Sequence, residues 1–476
     1  MTDRRSQPAL PQINPGIFRT ADIRGRVNDE ELNPRSVELL GRAYGTFLKR
    51  NGITKSVVGY DNRDCSTSFH AAIVEGLRST GCDVVSIGMC LTPMLYWSQY
   101  YFKSEGGVMI TGSHNPSDWS GFKMAKGYSY TIVGDEVQHL RKLIEADDFE
   151  TGRGDVRIVD IENEFYNDLL SRVSITKPFK VVVDCGNGTA GRFAPKLLRR
   201  AGCDVTELYC ALDTSFPHHF PDPTIVEHHD DIRKLVKQIG ADLGMSFDGD
   251  GDRFGCDDDQ ANIIWADRLM MLWSRSILER DPGAKIVFDV KCSQLLVDDI
   301  KAHGGEPVMW KTGHPFIKSK LKETHAALAG EMSGHVFFVE RYYGYDDALY
   351  AALRLLEYLS RDGRKLSEVM AELPATVVTP EIRVDAPDEI KYEVSNELAA
   401  KFRADGFEVI DIDGARVHFA EGWGLCRASS NMPMLILRFE STSWDGVQHY
   451  VDLFREKLSA YPEVSTTWEN LPPQVK

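Results

Sequence analysis

Three aspartates, with a glycine between each pair, follow an apolar, strand-like run in the middle of the chain. They are Asp248, Asp250 and Asp252, and the run before them covers residues 241–247. Carboxylates two positions apart share one side of an extended segment, and the glycines let the backbone curl so that the oxygens converge. A tight group of hard oxygen ligands suits Mg²⁺. The alternative is a solvated acidic turn, although three crowded carboxylates repel one another unless a cation neutralises them.

Two known kinds of acidic loop fit this pattern less well. In an EF-hand, position six would be Arg253 instead of glycine, and position twelve would be Asp259 instead of a bidentate glutamate. A haloacid-dehalogenase-like phosphatase needs the pattern D-x-D-x-[TV], but Asp252 or Phe254 takes its fifth position, depending on which aspartate begins it. A phosphatase with an aspartate nucleophile remains as an alternative, which phosphate release without isomerisation would favour.

A serine lies in a compact polar loop at residues 111–116, directly after the strand-like residues 107–110. A hydroxyl on a tight loop at the carboxyl end of a parallel strand is where α/β proteins place reactive groups. The nucleophile elbow G-x-S-x-G of serine hydrolases does not fit, because Thr111 and Asn115 occupy its glycine positions. From these residues alone, Ser113 is either a reactive hydroxyl or part of an ordinary turn.

Two further loops carry polar side chains between apolar segments. Glu331, Ser333 and His335 lie in the first loop, where they could bond sugar hydroxyls or move protons; the alternative is a satisfied strand-to-loop corner. The second loop, residues 427–433, begins with an arginine and lies between two strand-like runs. Its guanidinium, amides and hydroxyls could hold a phosphate, and the alternative is a plain hairpin.

The elements around these motifs predict α/β domains. Three stretches, beginning near residues 56, 180 and 285, repeat a buried strand, a polar loop, a helix, a glycine-rich corner and a second strand. This alternation indicates βαβ units with mainly parallel strands. The last hundred residues show an α+β pattern. Strands are predicted at 379–384 and 407–411, a strand, a loop and a second strand at 423–440, and helices at 389–405 and 447–458.

We therefore predict three related α/β domains with mixed, mainly parallel sheets and a C-terminal α+β domain, arranged around a central cleft. Each domain carries one of the four motifs, in the order serine loop, aspartate loop, sugar-binding loop and phosphate-binding loop. The predicted domains cover residues 1–158, 159–262, 263–376 and 377–476.

Composition and charge narrow the class of protein. The chain has 476 residues, of which 42% are hydrophobic and 26% charged, and this excludes a disordered or fibrous protein. Lys and Arg total 55 against 71 for Asp and Glu, so the net charge is 55 − 71 = −16. That sign works against nucleic acid or an anionic membrane as a partner, whereas a local basic cluster can still bind a small anion.

Three features predict a cytoplasmic protein. No apolar run approaches the roughly 20 residues of a membrane-spanning helix. No apolar leader segment follows the charged start of the sequence. The nine cysteines are scattered without a C-x-x-C pair, as expected for a reducing compartment.

Together and in this order, the four motifs resemble the α-D-phosphohexomutase superfamily, in particular its bacterial phosphomannomutase/phosphoglucomutase branch. The resemblance covers nearly the whole chain. It implies a Mg²⁺-dependent isomerase that interconverts hexose 1-phosphates and hexose 6-phosphates, of mannose or glucose or both, through a phosphoserine and a hexose 1,6-bisphosphate. The resemblance also takes in residues 18–25, 121–123, 184–188, 290–292 and 310–314.

The resemblance assigns a role to each catalytic motif. Ser113 would carry the phosphoryl group and would bind Mg²⁺ together with Asp248, Asp250 and Asp252. A phosphoserine adds close to two negative charges to a site that already holds three carboxylates, so a cation is needed. The cations expected beside the transferred phosphoryl group are Arg24, Lys123 and Arg253.

The remaining roles concern the sugar and its second phosphate. Glu331 and Ser333 would bind the O3 and O4 hydroxyls, which glucose and mannose share, so the site would accept both sugars. His335 would be the general acid and base. The other residues expected at the substrate are Lys291 and His314 beside the sugar, and Arg427, Ser429 and Asn431 around the phosphate that is not reacting.

Four residues depart from the family pattern. Ala21 replaces a tyrosine near the ligand, Tyr60 replaces an arginine, and Asn431 and Met432 change the phosphate loop. These departures leave the preferred hexose open and make a catalytically impaired phosphosugar-binding protein a second alternative to a mutase. Members of this family are often monomeric, so we expect a monomer that binds hexose phosphates.

Overall fold

The computed structural model describes residues 13–19, 22–430 and 432–475 of the chain. The strands form four sheets that follow one another in sequence, three of them mixed and flanked by helices and the last antiparallel. This arrangement confirms the predicted fold class of three α/β domains followed by an α+β domain. The domain limits given above stay predictions.

The first domain is built on a six-stranded sheet with a parallel centre. Its elements are a 3-10 helix (Pro15–Ile17), β1 (Ile23–Arg26), α1 (Pro34–Arg50), β2 (Lys55–Tyr60), α2 (Ser66–Ser79), β3 (Asp83–Met89), α3 (Thr92–Tyr101), β4 (Gly106–Ile110), β5 (Trp119–Lys126), α4 (Asp135–Glu145) and β6 (Val156–Ile158). The strand order is β1-β5-β4-β2-β3-β6; β2 is parallel to β3 and β4, and β5 is antiparallel to β4 and β1. The loop with Ser113 leaves the carboxyl end of the buried strand β4.

The second domain has five strands in the sheet and three α-helices. Its elements are α5 (Glu162–Ser171), β7 (Lys180–Asp184), α6 (Ala190–Arg200), β8 (Asp204–Leu208), a 3-10 helix (Val226–His229), α7 (Asp230–Ile239), β9 (Leu243–Phe247), β10 (Phe254–Asp257) and β11 (Ile263–Ile264). The order is β11-β10-β9-β7-β8, with β7 parallel to β8 and β9. The aspartate loop folds back from the fully buried β9 into antiparallel β10, which brings Phe254 opposite Phe247.

The third domain has a four-stranded sheet. Its elements are α8 (Ala266–Leu278), β12 (Lys285–Asp289), α9 (Gln294–Ala302), β13 (Glu306–Trp310), α10 (His314–Thr324), β14 (Leu328–Gly330), β15 (Val336–Phe338), α11 (Ala348–Asp362) and α12 (Leu366–Met370). The order is β13-β12-β14-β15, and β12 is parallel to both of its neighbours. The loop from Glu331 to His335 joins β14 to antiparallel β15.

The fourth domain is an antiparallel sheet packed against two helices. Its elements are β16 (Val377–Val378), β17 (Ile382–Asp385), α13 (Lys391–Ala404), β18 (Glu408–Ile410), β19 (Ala415–Phe419), β20 (Gly422–Ala428), β21 (Met434–Ser441) and α14 (Trp444–Leu458). The order is β16-β21-β20-β19-β18, and β17 also pairs with β21. The loop that begins beside Arg427 connects β20 to β21.

Each α/β domain places its motif at the same point of its sheet, the turn from a parallel strand into an antiparallel neighbour. These turns are β4–β5, β9–β10 and β14–β15. They lie at the carboxyl ends of parallel strands, where α/β proteins bind ligands. The sequence analysis did not predict β5, because this buried strand contains Ser120 and Lys123 and so lacks a continuous apolar run.

The cores explain how the domains are joined. One apolar cluster extends through the second and third domains and includes Val57 and Met109 of the first, whereas the fourth domain has a core of its own. Buried polar groups attach the fourth domain to the third: Arg416 Nη1 donates to the carbonyl oxygens of Val290 at 2.5 Å and Cys292 at 2.7 Å. Among the residues described, no helix has both the length and the apolar composition needed to cross a bilayer.

Candidate active site

The serine loop and the aspartate loop meet where the first and second domains face each other. Ser113 Oγ donates a hydrogen bond of 2.9 Å to Asp248 Oδ2 and lies 3.1 Å from His114 Nδ1. Ser113 is buried, with a left-handed φ of +48°, and its amide donates to Thr111 Oγ1 at 2.8 Å. The loop therefore aims the hydroxyl at the aspartates.

A glycine permits this approach. Gly249 follows Asp248, and a Cβ at Gly249 would lie 2.4 Å from the carbonyl oxygen of Ser113. That separation is far below van der Waals contact, so any side chain at Gly249 would push the two loops apart.

Arg63, which the sequence did not predict as a site residue, holds the serine loop by its carbonyl oxygens. Arg63 Nη2 donates to the carbonyl oxygens of Ser113 at 3.0 Å and Asn115 at 2.5 Å, and its Nε lies 3.3 Å from Asp61. Asp61 in turn accepts from the amide of Gly112 at 2.9 Å. Burial lowers the pKa of the Arg63 guanidinium, although the negative charge of Asp61 acts to raise it. The sequence did offer a signal: Asp61 and Arg63 follow strand β2 at its carboxyl end, which is the edge of the sheet where α/β proteins form their sites.

The three aspartates are fully buried, and a lysine lies among them. Lys123 Nζ donates to Asp250 Oδ2 at 2.7 Å and also bonds Asp252 Oδ2. Burial alone would lower the pKa of Lys123, but Asp250 and Asp252 raise it well above its usual value. Burial would raise the pKa of Asp250, and the charge of Lys123 lowers it instead. Burial and the other two carboxylates raise the pKa of Asp248, and they outweigh the opposite effect of Arg253 and Lys123.

The aspartate group fits a divalent cation. One ligand oxygen from each of Asp248, Asp250 and Asp252 lies within 4.8 Å of the others. Asp250 Oδ1 and Asp252 Oδ1 are buried and have no hydrogen-bond partner among the described residues. Buried carboxylate oxygens without donors are costly, and a hard cation would satisfy them.

Two predicted arginines flank this group. Arg24, on β1, donates from Nη1 to Asn115 Oδ1 at 2.6 Å and so contacts the serine loop. Arg253 Nε donates to His335 Nε2 at 3.1 Å, while its Nη1 lies 3.7 Å from Asp222. Burial would lower the pKa of Arg253, but Asp222 and the aspartate loop raise it. Arg253 thus connects the aspartate loop to His335 of the third domain.

His335 and His314 share a carboxylate that the sequence analysis did not identify. Asp346 Oδ2 lies 3.1 Å from His335 Nδ1 and 3.5 Å from His314 Nδ1, and Lys318 Nζ lies 3.5 Å from Asp346 Oδ1. Burial would raise the pKa of Asp346, and Lys318 is the main influence that holds it well below its usual value. Burial lowers the pKa of His314 well below its ordinary range. Because Arg253 donates to Nε2, a neutral His335 carries its proton on Nδ1, facing Asp346.

The loop from Glu331 to His335 lies next to other residues that were expected to contact the substrate. Glu331 Oε1 accepts from the amide of Gly313 at 2.6 Å, and burial raises the pKa of Glu331. Ser333 is half-buried in the same loop. Lys291 Nζ donates to Glu381 at 2.6 Å and lies 3.6 Å from Asp289, and these carboxylates raise its pKa against the effect of burial.

The loop expected to bind phosphate lies between β20 and β21 of the fourth domain. Arg427 is buried at the end of β20, and its Nε donates to Asp413 Oδ2 at 2.8 Å. The amide of Met432 donates to Ser429 Oγ at 3.2 Å, and the Met432 side chain is 52% exposed. Among the other predicted residues, Asn431 and Ala21 lie outside the described residues, and Tyr60 packs against His70 with ring centroids 5.0 Å apart.

Direct contacts link the serine loop, the aspartates, Lys123, Arg24, Arg253 and His335, and His314 joins them through Asp346. The amide of Glu331 donates to the carbonyl oxygen of His335 at 2.9 Å, so Glu331 belongs to the same set. Lys291 and Arg427 bond carboxylates of the third and fourth domains.

Comparisons with known proteins match the chain domain by domain. Family models of phosphoglucomutase/phosphomannomutase match it over alpha/beta/alpha domains I, II and III and over the C-terminal domain. The matched residues, in that order, are 15–151, 163–261, 265–377 and 381–457.

Individual relatives match over almost the full chain. A phosphomannomutase/phosphoglucomutase of Pseudomonas aeruginosa is 43% identical over 455 residues, covering 96% of this chain and 98% of that protein. A phosphoglucomutase of Neisseria meningitidis is 42% identical over 459 residues, covering 96% and 99%. A crystal structure of a phosphoglucomutase/phosphomannomutase family protein from Burkholderia thailandensis superposes with a TM-score of 0.88 at 40% identity, covering 95% of this chain and 99% of that one.

Proposed function

The chain belongs to the phosphoglucomutase/phosphomannomutase family and is a mutase, and we propose that it interconverts the 1-phosphates and 6-phosphates of glucose and mannose. One contact carries this proposal: the Ser113 hydroxyl lies 2.9 Å from Asp248, in a buried site with two more aspartates and Lys123. A phosphoryl group on that hydroxyl would lie beside a metal site and a fixed cation. The relatives are named as mutases, so the phosphatase and the impaired binding protein lack support.

Ser113 is proposed to carry a phosphoryl group in the resting enzyme. The free hydroxyl of a hexose phosphate attacks that group; its bond to the serine oxygen breaks as the bond to the sugar oxygen forms, which gives the 1,6-bisphosphate. After the bisphosphate turns around, the serine oxygen takes the other phosphoryl group and the isomerised hexose phosphate leaves. The burial of Ser113 excludes water that would otherwise hydrolyse the phosphoserine.

Charge neutralisation is the main demand of this reaction. Asp248, Asp250 and Asp252 would hold Mg²⁺ together with the phosphorylated serine, and the ion would neutralise charge on the transferred group. Lys123 supplies a second positive charge, since it is buried and already bonded to Asp250. Arg24 adds a further cation at the serine loop, where it bonds Asn115.

His335 is proposed to take the proton of the attacking hydroxyl and to return it in the reverse step. Asp346 faces Nδ1 of the ring, so Nε2 is the nitrogen left to accept a proton. A substrate hydroxyl would replace Arg253 as the partner of Nε2, which leaves Arg253 to meet the phosphate.

The sugar is proposed to be held from the third domain and its second phosphate from the fourth. Glu331 and Ser333 would bind O3 and O4, and Lys291 and His314 would add contacts beside them. Glucose and mannose differ only at C2, so such a site accepts both. Arg427, Ser429 and Asn431 would bind the phosphate that is not reacting.

The test is a coupled assay of glucose 1-phosphate and mannose 1-phosphate, with and without Mg²⁺ and the 1,6-bisphosphate. Ser113→Ala should lower kcat by more than about a thousandfold, because it removes the group that accepts phosphate. Intact-mass analysis should find one phosphoryl group on the wild type and none on this variant. Ser68→Ala, an exposed serine of the same domain, is the control and should retain both. Unchanged turnover in Ser113→Ala, or phosphate release without isomerisation, would refute the proposal.

A further inference from the structure

One carboxylate oxygen joins the phosphate loop to the third domain. Asp413 lies in the turn between β18 and β19. Its Oδ2 accepts a hydrogen bond from Arg427 Nε at 2.8 Å and another from the amide of Thr312 at 3.0 Å. The two donors belong to different domains, so Asp413 holds the phosphate-loop arginine and a loop of the third domain at the same point.

The turn that carries Asp413 is fixed against Arg427 by the backbone. Gly414 has a φ of +82°, and a Cβ there would lie 2.3 Å from the carbonyl oxygen of Cys426 and 2.7 Å from Arg427 Cα. Only glycine allows this approach, both because of its left-handed conformation and because of the contact distance. The carboxylate of Asp413 therefore has a defined place beside the guanidinium.

Thr312 continues the connection toward the sugar loop. Its Oγ1 donates to Asp289 Oδ2 at 3.0 Å, and Asp289 Oδ1 accepts from the amide of Met332 at 3.1 Å. The next amide, that of Gly313, donates to Glu331 Oε1 at 2.6 Å. An unbroken series of hydrogen bonds thus runs from Arg427 to the loop proposed to bind the sugar.

We propose that Asp413 is a positioning residue, which orients Arg427 for the phosphate and couples the phosphate loop to the sugar loop. This inference rests on the proposed function. The side chains of Arg427 and Asp413 are only 8% and 17% exposed, so their bond is partly shielded from water and restricts the guanidinium. Because the same oxygen holds Thr312, Asp413 favours the arrangement in which Arg427 and Glu331 face one substrate molecule.

The first test is a double-mutant cycle on the isomerisation of glucose 1-phosphate. Asp413→Ala should raise KM about tenfold and change kcat by less than about threefold, because ground-state binding is lost. In an Arg427→Ala background the same change should raise KM by less than about twofold, since Asp413 acts through Arg427. The control is Asp411→Ala, at an exposed aspartate of the same turn. This change removes an ion pair of 2.8 Å with Arg403 and should leave KM unchanged.

The second test reads the contact with the third domain directly. Hydrogen–deuterium exchange of the peptide containing Thr312 should speed up in Asp413→Ala, because the amide loses its acceptor, and should stay unchanged in Asp411→Ala. Asp413→Asn keeps a carbonyl oxygen for the Thr312 amide but loses the charge that attracts Arg427. It should therefore retain most of the protection while its KM rises.

These outcomes distinguish failure of the proposed function from failure of the inference about Asp413. If the wild type does not isomerise hexose phosphates, the proposed function fails. If the wild type is active but Asp413→Ala leaves KM unchanged, the inference about Asp413 is wrong. It is also wrong if Asp413→Ala raises KM by the same factor in the Arg427→Ala background as in the wild type. Unaltered exchange at Thr312 in Asp413→Ala would likewise overturn it.

Discussion

His335 and Asp346 form a buried imidazole–carboxylate pair, in which His335 Nδ1 lies 3.1 Å from Asp346 Oδ2. Asp346 has no exposed surface, and Arg253 donates to the opposite ring nitrogen. The ring is thus held from both sides, with Nε2 as the nitrogen that can accept a proton. A base whose orientation is fixed by a third group is the arrangement expected for proton transfer from a hydroxyl.

Asp346→Asn should therefore impair the reaction more than substrate binding. We expect kcat to fall by about 10- to 100-fold and KM to change by less than about threefold, because the His335 ring loses its charged partner while Glu331, Ser333 and Lys291, the other residues proposed to hold the sugar, do not bond Asp346. Steady-state kinetics with glucose 1-phosphate measure both constants. Asp347→Asn is the matched control, because that carboxylate is buried next door but bonds Tyr350 and Tyr342 instead. Equal kcat values in Asp346→Asn and the wild type would contradict this role.

Removal of a metal ligand should change the dependence of activity on Mg²⁺. Asp250→Asn takes a charge from the buried group while Lys123 stays beside it, so we expect the Mg²⁺ concentration for half-maximal activity to rise at least about tenfold. Titration of Mg²⁺ into protein stripped with a chelator measures this. Asp281→Asn, at an exposed aspartate, should behave as the wild type does. Full activity of the stripped wild type without added metal would show that no such ion is required.

The sequence pointed to the loops of the candidate site because their polar residues are clustered directly after strands. Ser113 and the three aspartates are of this kind. Arg63, Asp346 and Asp413 were not identified, since each is a single polar residue whose partner becomes a neighbour only through tertiary folding. Lys123 was expected from the family resemblance alone: its strand pairs are antiparallel, and nothing local marks a lysine there as the partner of aspartates more than a hundred residues away.

Much of the fold was predictable, because the first strand of each α/β repeat is an apolar run, such as Val181–Val183 within β7, followed by a helix and a glycine-rich corner. The antiparallel strands were harder. Strand β5 is buried among its neighbours while it contains Ser120 and Lys123, so its pattern does not reveal its burial. Lys123 can be buried there because it bonds two buried aspartates, which a pattern of apolar residues does not reveal.

Protein stability should respond to pH through Asp347. Burial raises the pKa of this carboxyl from 3.8 to about 7. A folded-state pKa above the unfolded value means that the folded protein binds the proton more tightly, so this group's stabilisation is full below pH 3.8 and is lost as pH rises toward 7. Asp347→Asn, which does not titrate, should therefore gain stability over the wild type as pH rises from 5 to 8, by about 3 kcal/mol.

Urea unfolding of both proteins at pH 5 and pH 8 tests this. The difference between the variant and the wild type should be larger at pH 8. Asp281→Asn serves as the control for the general effect of removing a surface carboxylate. A difference that is the same at both pH values would show that Asp347 does not carry the pH dependence.

Gly249→Ala should separate the serine from its metal site without strain in the backbone. The residue lies outside the left-handed region, so alanine can adopt its conformation, but the new Cβ would lie 2.4 Å from the Ser113 carbonyl oxygen. The loops must move apart, and the 2.9 Å contact between Ser113 and Asp248 is lost. Since a displacement of about 1 Å at a reacting group can cost about a hundredfold in rate, we expect kcat to fall by at least that factor.

Gly304→Ala provides the opposite case for the same measurement. Gly304 has a φ of +78°, and a Cβ added there would meet no neighbouring side chain or backbone within 4 Å, so alanine strains the backbone far from the site without a clash. We expect a lower Tm with kcat preserved in Gly304→Ala, whereas Gly249→Ala should lose kcat as well as Tm, because its Cβ overlaps a buried backbone atom of the site. If Gly249→Ala turned over glucose 1-phosphate at the wild-type rate, close contact between the two loops would not be needed for phosphoryl transfer.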